Sequence, residues 1–186
     1  MNLANRLTVT RILLVPFFTA SLVYYSPERT LLYWAGIVVF VLACLTDALD
    51  GYWATQMNQR TVLGSYIDPI ADKLLLLSGY LCLGFIRDLP EAMKVPAWLT
   101  IFVISRDILI LLGSMMIYVT TGSLKAKPLF VGKLTTVFQM MTLLAALLMV
   151  QEIFRWVFFG ATALLTLLSG LFYIRMGGRM LQENGK

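Results

Sequence analysis

The stretch LTDALDGYWATQMNQRTVLGSYIDPIADK, residues 45–73, decides the fold of this chain, because it sets four aspartates among residues that are otherwise apolar. Hydrophobic residues make up 59% of the 186 and charged residues 13%, against roughly 25% charged in an ordinary soluble domain. Mean hydropathy is +0.80. Such a composition describes an integral membrane protein rather than a soluble enzyme with a large core. A membrane-spanning helix needs about 20 mostly apolar residues, and six stretches qualify, near 7–25, 31–58, 62–86, 96–120, 129–150 and 153–175. The expected fold is all-α, a bundle of six transmembrane helices forming one domain over residues 1–186.

The first apolar stretch is as long as a full span and no A-x-A-like cleavage site follows it, so it reads as a retained helix and not a signal peptide. Cys44 and Cys82 stand singly inside spans, without metal-ligand spacing, and read as small packing residues. Trp34, Trp98 and Trp156 fall near span ends, where indoles anchor at the membrane interface.

Short connections imply an up-down bundle with both termini on one side. Nine basic residues collect on that side: Arg6, Arg11, Arg60, Lys125, Lys127, Lys133, Arg175, Arg179 and Lys186. Four fall on the other, Arg29, Arg87, Lys94 and Arg155. The excess of lysine and arginine marks the cytoplasmic face, which puts the turn between the second and third spans there. The net charge of +5 follows from that orientation. No basic face interleaved with exposed aromatics is present, so a nucleic-acid partner is not expected.

An ionised carboxylate within a span costs at least ~2.5 kcal/mol on insertion scales, which makes each one a functional candidate. Asp47 and Asp50 are three apart and Asp68 and Asp72 four apart, so each pair projects from one helical face. Gly51 and Ala54 lie close to the first pair, and Gly64 lies one turn before Asp68. Hard divalent cations are the natural neutralisers of an oxygen-rich cluster, and four carboxylates are enough for two ions. Two metals about 4 Å apart suit phosphoryl-type displacement. The small residues leave room for a flat group such as a nucleotide. With no histidine in the chain, a general base must be a carboxylate or a lysine. Helix capping or pairing with Lys73 and Arg106 explains four aspartates in this arrangement poorly.

These residues resemble the signature of the CDP-alcohol phosphotransferase family, D-x2-D-G-x2-A-R-x8-G-x3-D-x3-D. Asp47, Asp50, Gly51, Ala54, Gly64, Asp68 and Asp72 match it with the same spacing, and Thr55 stands where the family has arginine. The resemblance implies a cytidine-diphosphate-linked lipid donor, CDP-diacylglycerol, two magnesium or manganese ions, a homodimer, and release of CMP. It assigns Asp47, Asp50, Asp68 and Asp72 to the metals, and Asp72 also to the role of base. Gly51, Ala54 and Gly64 then line the cytidine pocket. Asn5, Thr8 and Arg11 resemble the family's N-x2-T-x2-R run near the donor phosphates. Thr55 removes one guanidinium from the donor site.

Within the family, IDPIADK, SRD at 105–107 and KPLFVGKLTTVFQM from Lys127 resemble the branch that makes phosphatidylglycerol phosphate and cardiolipin. The glycerol-phosphate enzymes usually carry a second arginine one to two turns beyond the SRD position. Here SRDILILLGSMM has Gly113 and Ser114 instead. That absence and the KPLFVGKLTTVFQM tract favour phosphatidylglycerol as acceptor, as in CMP-forming cardiolipin synthases; glycerol 3-phosphate is the alternative. Lys73, Arg106, Lys127 and Lys133 are the candidate contacts for an acceptor or lipid phosphate, with snorkelling at helix ends as the competing role. A reading outside enzymology, a divalent-cation transporter, is disfavoured because the carboxylates sit near one end of a hairpin and the motif has no second copy. A scaffold that keeps the fold without activity is disfavoured by the retained aspartates. Size and the absence of a transit-like leader point to a bacterial inner membrane, with the active site on the cytoplasmic side.

Overall fold

Apolar runs bounded by proline and polar turns become helices throughout the computed structural model, which describes residues 3–56, 62–121 and 130–183. Side chains are described for residues 9–46, 73–113, 115 and 130–178. Among the described residues there are six α-helices and no strand: α1 Leu3–Val23, α2 Thr30–Gln56, α3 Val62–Phe85, α4 Ala97–Thr121, α5 Phe130–Leu147 and α6 Glu152–Glu183. A 3-10 turn, Glu91–Met93, lies between α3 and α4. Among the described residues three segments are long and apolar enough to cross a membrane, Glu91–Gly113, Phe130–Leu147 and Glu152–Gly178. Shorter apolar stretches occupy Val9–Val23, Thr30–Thr46 and Lys73–Phe85.

The helices form two compact units, Met1–Val95 with Leu143–Val150, and Pro96–Thr142 with Gln151–Lys186. In the first, α1 packs against α2 and α3. Its interior is mostly apolar: Phe18, Phe40, Ala43, Leu75, Leu76, Tyr80 and Leu83 are buried, with the Phe18 and Phe40 rings 5.4 Å apart. Close approach of α1 to α2 depends on Gly36, where an added Cβ would lie 2.6 Å from Ser21 Oγ. Gly79 similarly leaves space for Leu143, whose Cδ1 would stand 2.7 Å from a Cβ there.

Connections in this unit are tied down by backbone and aromatic contacts. Leu89, Met93 and Val95 of the α3–α4 connection are buried, and Val95 N–H donates to Leu83 O at 2.9 Å. After α5 the chain turns through Met149, whose φ of 48° is left-handed, while Val150 N–H bonds Ala145 O at 3.1 Å. Tyr33 donates its hydroxyl proton to Leu147 O at 2.9 Å and stacks edge-on with Trp34.

The second unit inverts the usual soluble pattern. Thr100, Arg106, Thr135, Gln139, Thr142, Thr162, Thr166 and Ser169 are buried, whereas Ile153, Val157, Leu164, Leu171 and Ile174 of α6 are exposed. Helices in lipid gain little by hiding apolar groups from one another, so close packing and interhelical hydrogen bonds hold them together. Here α4 packs on α6, and α5 joins α6 through Thr142 and Thr162, whose hydroxyls are 2.7 Å apart. Thr162 also reaches Phe138 O at 3.2 Å, and Thr135 reaches Leu165 O at 3.1 Å.

Candidate active site

In the first unit the four aspartates lie on two consecutive helices. Asp50 is six residues before the end of α2 at Gln56, and Asp68 is six residues after the start of α3 at Val62. Only five residues separate these helices. Both helices pack on α1, and a five-residue connection spans at most about 18 Å, less than the ~36 Å length of α3, which excludes α3 lying beside α2 in parallel. Counted along each helix from the end that the connection joins, Asp50 and Asp68 are both six residues in, about 9 Å at 1.5 Å per residue. Asp47 and Asp72 follow three and four residues deeper. The side chains of Asp47, Asp50, Gly51, Ala54, Gly64, Asp68 and Asp72 lie outside the described ones, as do those of Asn5 and Thr8.

A set of four carboxylates at one end of a helix pair has the chemistry of a hard-cation site, since carboxylate oxygen is the preferred ligand of magnesium and manganese. Among the residues with described side chains, no group of three or more acidic, cysteine or histidine side chains is assembled. Arg11 of α1 is buried, with 1% of its surface exposed. That burial sets it apart from a snorkelling helix-end arginine, which would carry its charge outward.

Of the expected acceptor contacts, Lys73 is half-buried on α3, Lys133 is exposed on α5, and Lys127 lies outside the described residues. Arg106 on α4 is the most elaborated. It is 6% exposed, and its Nη1 donates to Asp107 Oδ1 at 2.7 Å while Nη2 donates to Ser169 Oγ of α6. The guanidinium carbon lies 5.7 Å from the Tyr173 ring centroid. A Cβ on Gly132 of α5 would stand 3.0 Å from the Tyr173 hydroxyl and 3.5 Å from Arg106 Nη2.

Asp107, Ser169, Tyr173 and Gly132 were not foreseen as part of a site. A signal for two of them exists in the sequence: Thr162, Thr166, Ser169 and Tyr173 recur at intervals of four, three and four along an otherwise apolar α6, a polar stripe on one helical face.

A model of the CDP-alcohol phosphatidyltransferase family matches residues 1–168. The chain belongs to this family. Similar proteins carry both of the names anticipated for the branch. A Bacillus subtilis protein named CDP-diacylglycerol–glycerol-3-phosphate 3-phosphatidyltransferase is 31% identical over 158 residues, covering 79% of this chain and 77% of its own. The human CMP-forming cardiolipin synthase is 30% identical over 202 residues, covering 97% of this chain and 63% of its own. A probable phosphatidylglycerophosphate synthase of Mycobacterium tuberculosis is 35% identical over 107 residues, and that match spans about half its length, 48%. As a family member the chain is placed among the transferases of phospholipid synthesis.

Proposed function

We propose that this protein transfers the phosphatidyl group of CDP-diacylglycerol to an acceptor alcohol and releases CMP. The reading is carried by one observation: seven signature residues at their family spacing, with Asp50 and Asp68 each six residues from the connected ends of α2 and α3.

In this reading Asp47, Asp50, Asp68 and Asp72 hold two magnesium or manganese ions, which when bound supply charge stabilisation to the phosphate oxygens. Gly51, Ala54 and Gly64 leave the backbone open to the cytidine. Asn5, Thr8 and Arg11 face the donor phosphates. Asp72 accepts the proton of the acceptor hydroxyl. That oxygen bonds to the phosphorus bearing the diacylglycerol as the bond to the CMP phosphate breaks. Arg106, with Lys73, Lys127 and Lys133, meets the phosphate of the acceptor or of neighbouring lipid.

The acceptor we favour is phosphatidylglycerol, because SRDILILLGSMM offers no second arginine for a small dianion. The human cardiolipin synthase, aligned over 97% of the chain, supports that choice. Glycerol 3-phosphate is the second reading, supported by the name of the Bacillus relative.

All six helices cross the membrane in this account. At 1.5 Å per residue, α1, α2 and α3, with 21, 27 and 24 residues, are about 31, 40 and 36 Å long against a hydrocarbon core of about 30 Å. The family match extends across both compact units, which supports one functional domain over 1–186. The distribution of lysine and arginine supports an active site on the cytoplasmic side, in a bacterial inner membrane. Homodimerisation is carried over from the family resemblance.

The test is to incubate purified protein with labelled CDP-diacylglycerol and magnesium, adding phosphatidylglycerol or glycerol 3-phosphate, and to identify the labelled lipid product. Cardiolipin supports the favoured acceptor, and phosphatidylglycerol phosphate the second. Product from neither, together with magnesium flux into proteoliposomes, replaces the enzyme by a cation transporter.

A further inference from the structure

Arg106 carries a charge into an apolar helix, and Asp107 already neutralises it at 2.7 Å. The remaining contacts exceed what neutrality requires. Ser169 Oγ accepts from Nη2, and the Tyr173 ring lies beside the guanidinium at 5.7 Å. The ring has room there because residue 132 is glycine: a Cβ would come within 3.0 Å of the hydroxyl and 3.3 Å of Cε2. Three helices thus contribute to fixing the plane of one guanidinium. Meanwhile Arg106 Nε is buried and has no hydrogen-bond partner among the described residues. A buried arginine serving only to tether α4 to α6 gains nothing by leaving a donor desolvated. A guanidinium has five N–H donors, and the two spent on Asp107 and Ser169 fix its plane while leaving three to meet oxygens from outside the chain.

We propose that Ser169 and Tyr173 are positioning residues that orient Arg106 so that its unspent N–H donors meet a phosphate oxygen of the acceptor, and that Gly132 keeps the space Tyr173 needs. The proposal rests on the reading of Arg106 as an acceptor-phosphate contact. Planar guanidinium groups recognise phosphate directionally, so losing the orientation weakens acceptor binding while the charge stays in place. Donor binding, assigned to the first unit, is untouched.

The experiment measures CMP release by full-length protein with CDP-diacylglycerol and magnesium, varying donor and acceptor in turn, with phosphatidylglycerol and glycerol 3-phosphate as the acceptor probes. Arg106→Gln tests the underlying reading and raises the acceptor KM. Ser169→Ala and Tyr173→Leu each raise the acceptor KM about tenfold, the scale of one charged hydrogen bond or desolvated cation–π contact, with donor KM unchanged. Tyr173→Phe keeps the ring and stays near wild type. Gly132→Ala raises the acceptor KM, and adding Tyr173→Phe, which removes the crowded hydroxyl, restores it. Ser169→Ala removes a single oxygen and carries the test if Tyr173→Leu does not fold.

An acceptor KM raised in Arg106→Gln but unchanged in Ser169→Ala and Tyr173→Leu, whatever their thermal stability, overturns the positioning role alone. An unchanged acceptor KM in Arg106→Gln, or no CMP with either probe, overturns the reading beneath it.

Discussion

Thr142 of α5 and Thr162 of α6 place their hydroxyl oxygens 2.7 Å apart inside the second unit. Both are fully buried, and Thr162 additionally donates to Phe138 O at 3.2 Å. In lipid such a contact replaces part of the apolar driving force that a soluble helix pair would use. Thr162→Val keeps the shape and removes these bonds. The expected loss of stability is about 0.6 to 1.7 kcal/mol, read from unfolding of the purified protein in detergent, and a double-mutant cycle with Thr142→Val isolates the shared part.

Gly36 sets the distance between α1 and α2. Gly36→Ala forces a Cβ to within 2.6 Å of Ser21 Oγ and is expected to cost about 1–3 kcal/mol by overpacking. Ser21→Ala removes that oxygen and leaves the Ser21 Cβ at 3.5 Å from the new methyl. The double variant should therefore recover most of the loss in the same unfolding assay.

Met149 adopts a left-handed backbone, φ 48°, without being glycine. Such a conformation costs a residue with a Cβ about 1–2 kcal/mol, partly offset for glycine by its freer unfolded state. Met149→Gly is expected to raise the thermal midpoint, and Met149→Val to lower it.

Thr55 is the one signature position that departs from the family pattern. If the proposed donor site includes this position, Thr55→Arg lowers the KM for CDP-diacylglycerol and leaves the acceptor KM unchanged. Steady-state CMP release under varied donor checks this.

Helix positions were legible because span length and polar punctuation coincide. The expected stretches 62–86 and 96–120 are realised as Val62–Phe85 and Ala97–Thr121. The last helix runs on to Glu183, past the expected 175. Arg175, Gly177, Gly178 and Arg179 end the apolar run without ending the hydrogen-bonded helix, since hydropathy reports the preferred solvent and not backbone geometry. The aspartate motif was read from its spacing and its resemblance to the family signature, and its side chains lie outside the described ones. The surroundings of Arg106 were not legible: its partners Ser169 and Tyr173 lie more than sixty residues away in sequence, and local periodicity on α4 carries no information about α6. The polar stripe on α6 did announce a buried face, but not the residue it would meet.

The central claim is that the aspartates on α2 and α3 perform phosphatidyl transfer. Its most direct test is CMP release from CDP-diacylglycerol by the purified protein and by Asp72→Asn, each with magnesium and again with a chelator. The account predicts CMP from the wild type with magnesium, loss of it on chelation, and a fall of at least about a hundredfold in Asp72→Asn, the scale of losing a general base. Equal CMP release by wild type and Asp72→Asn would contradict it.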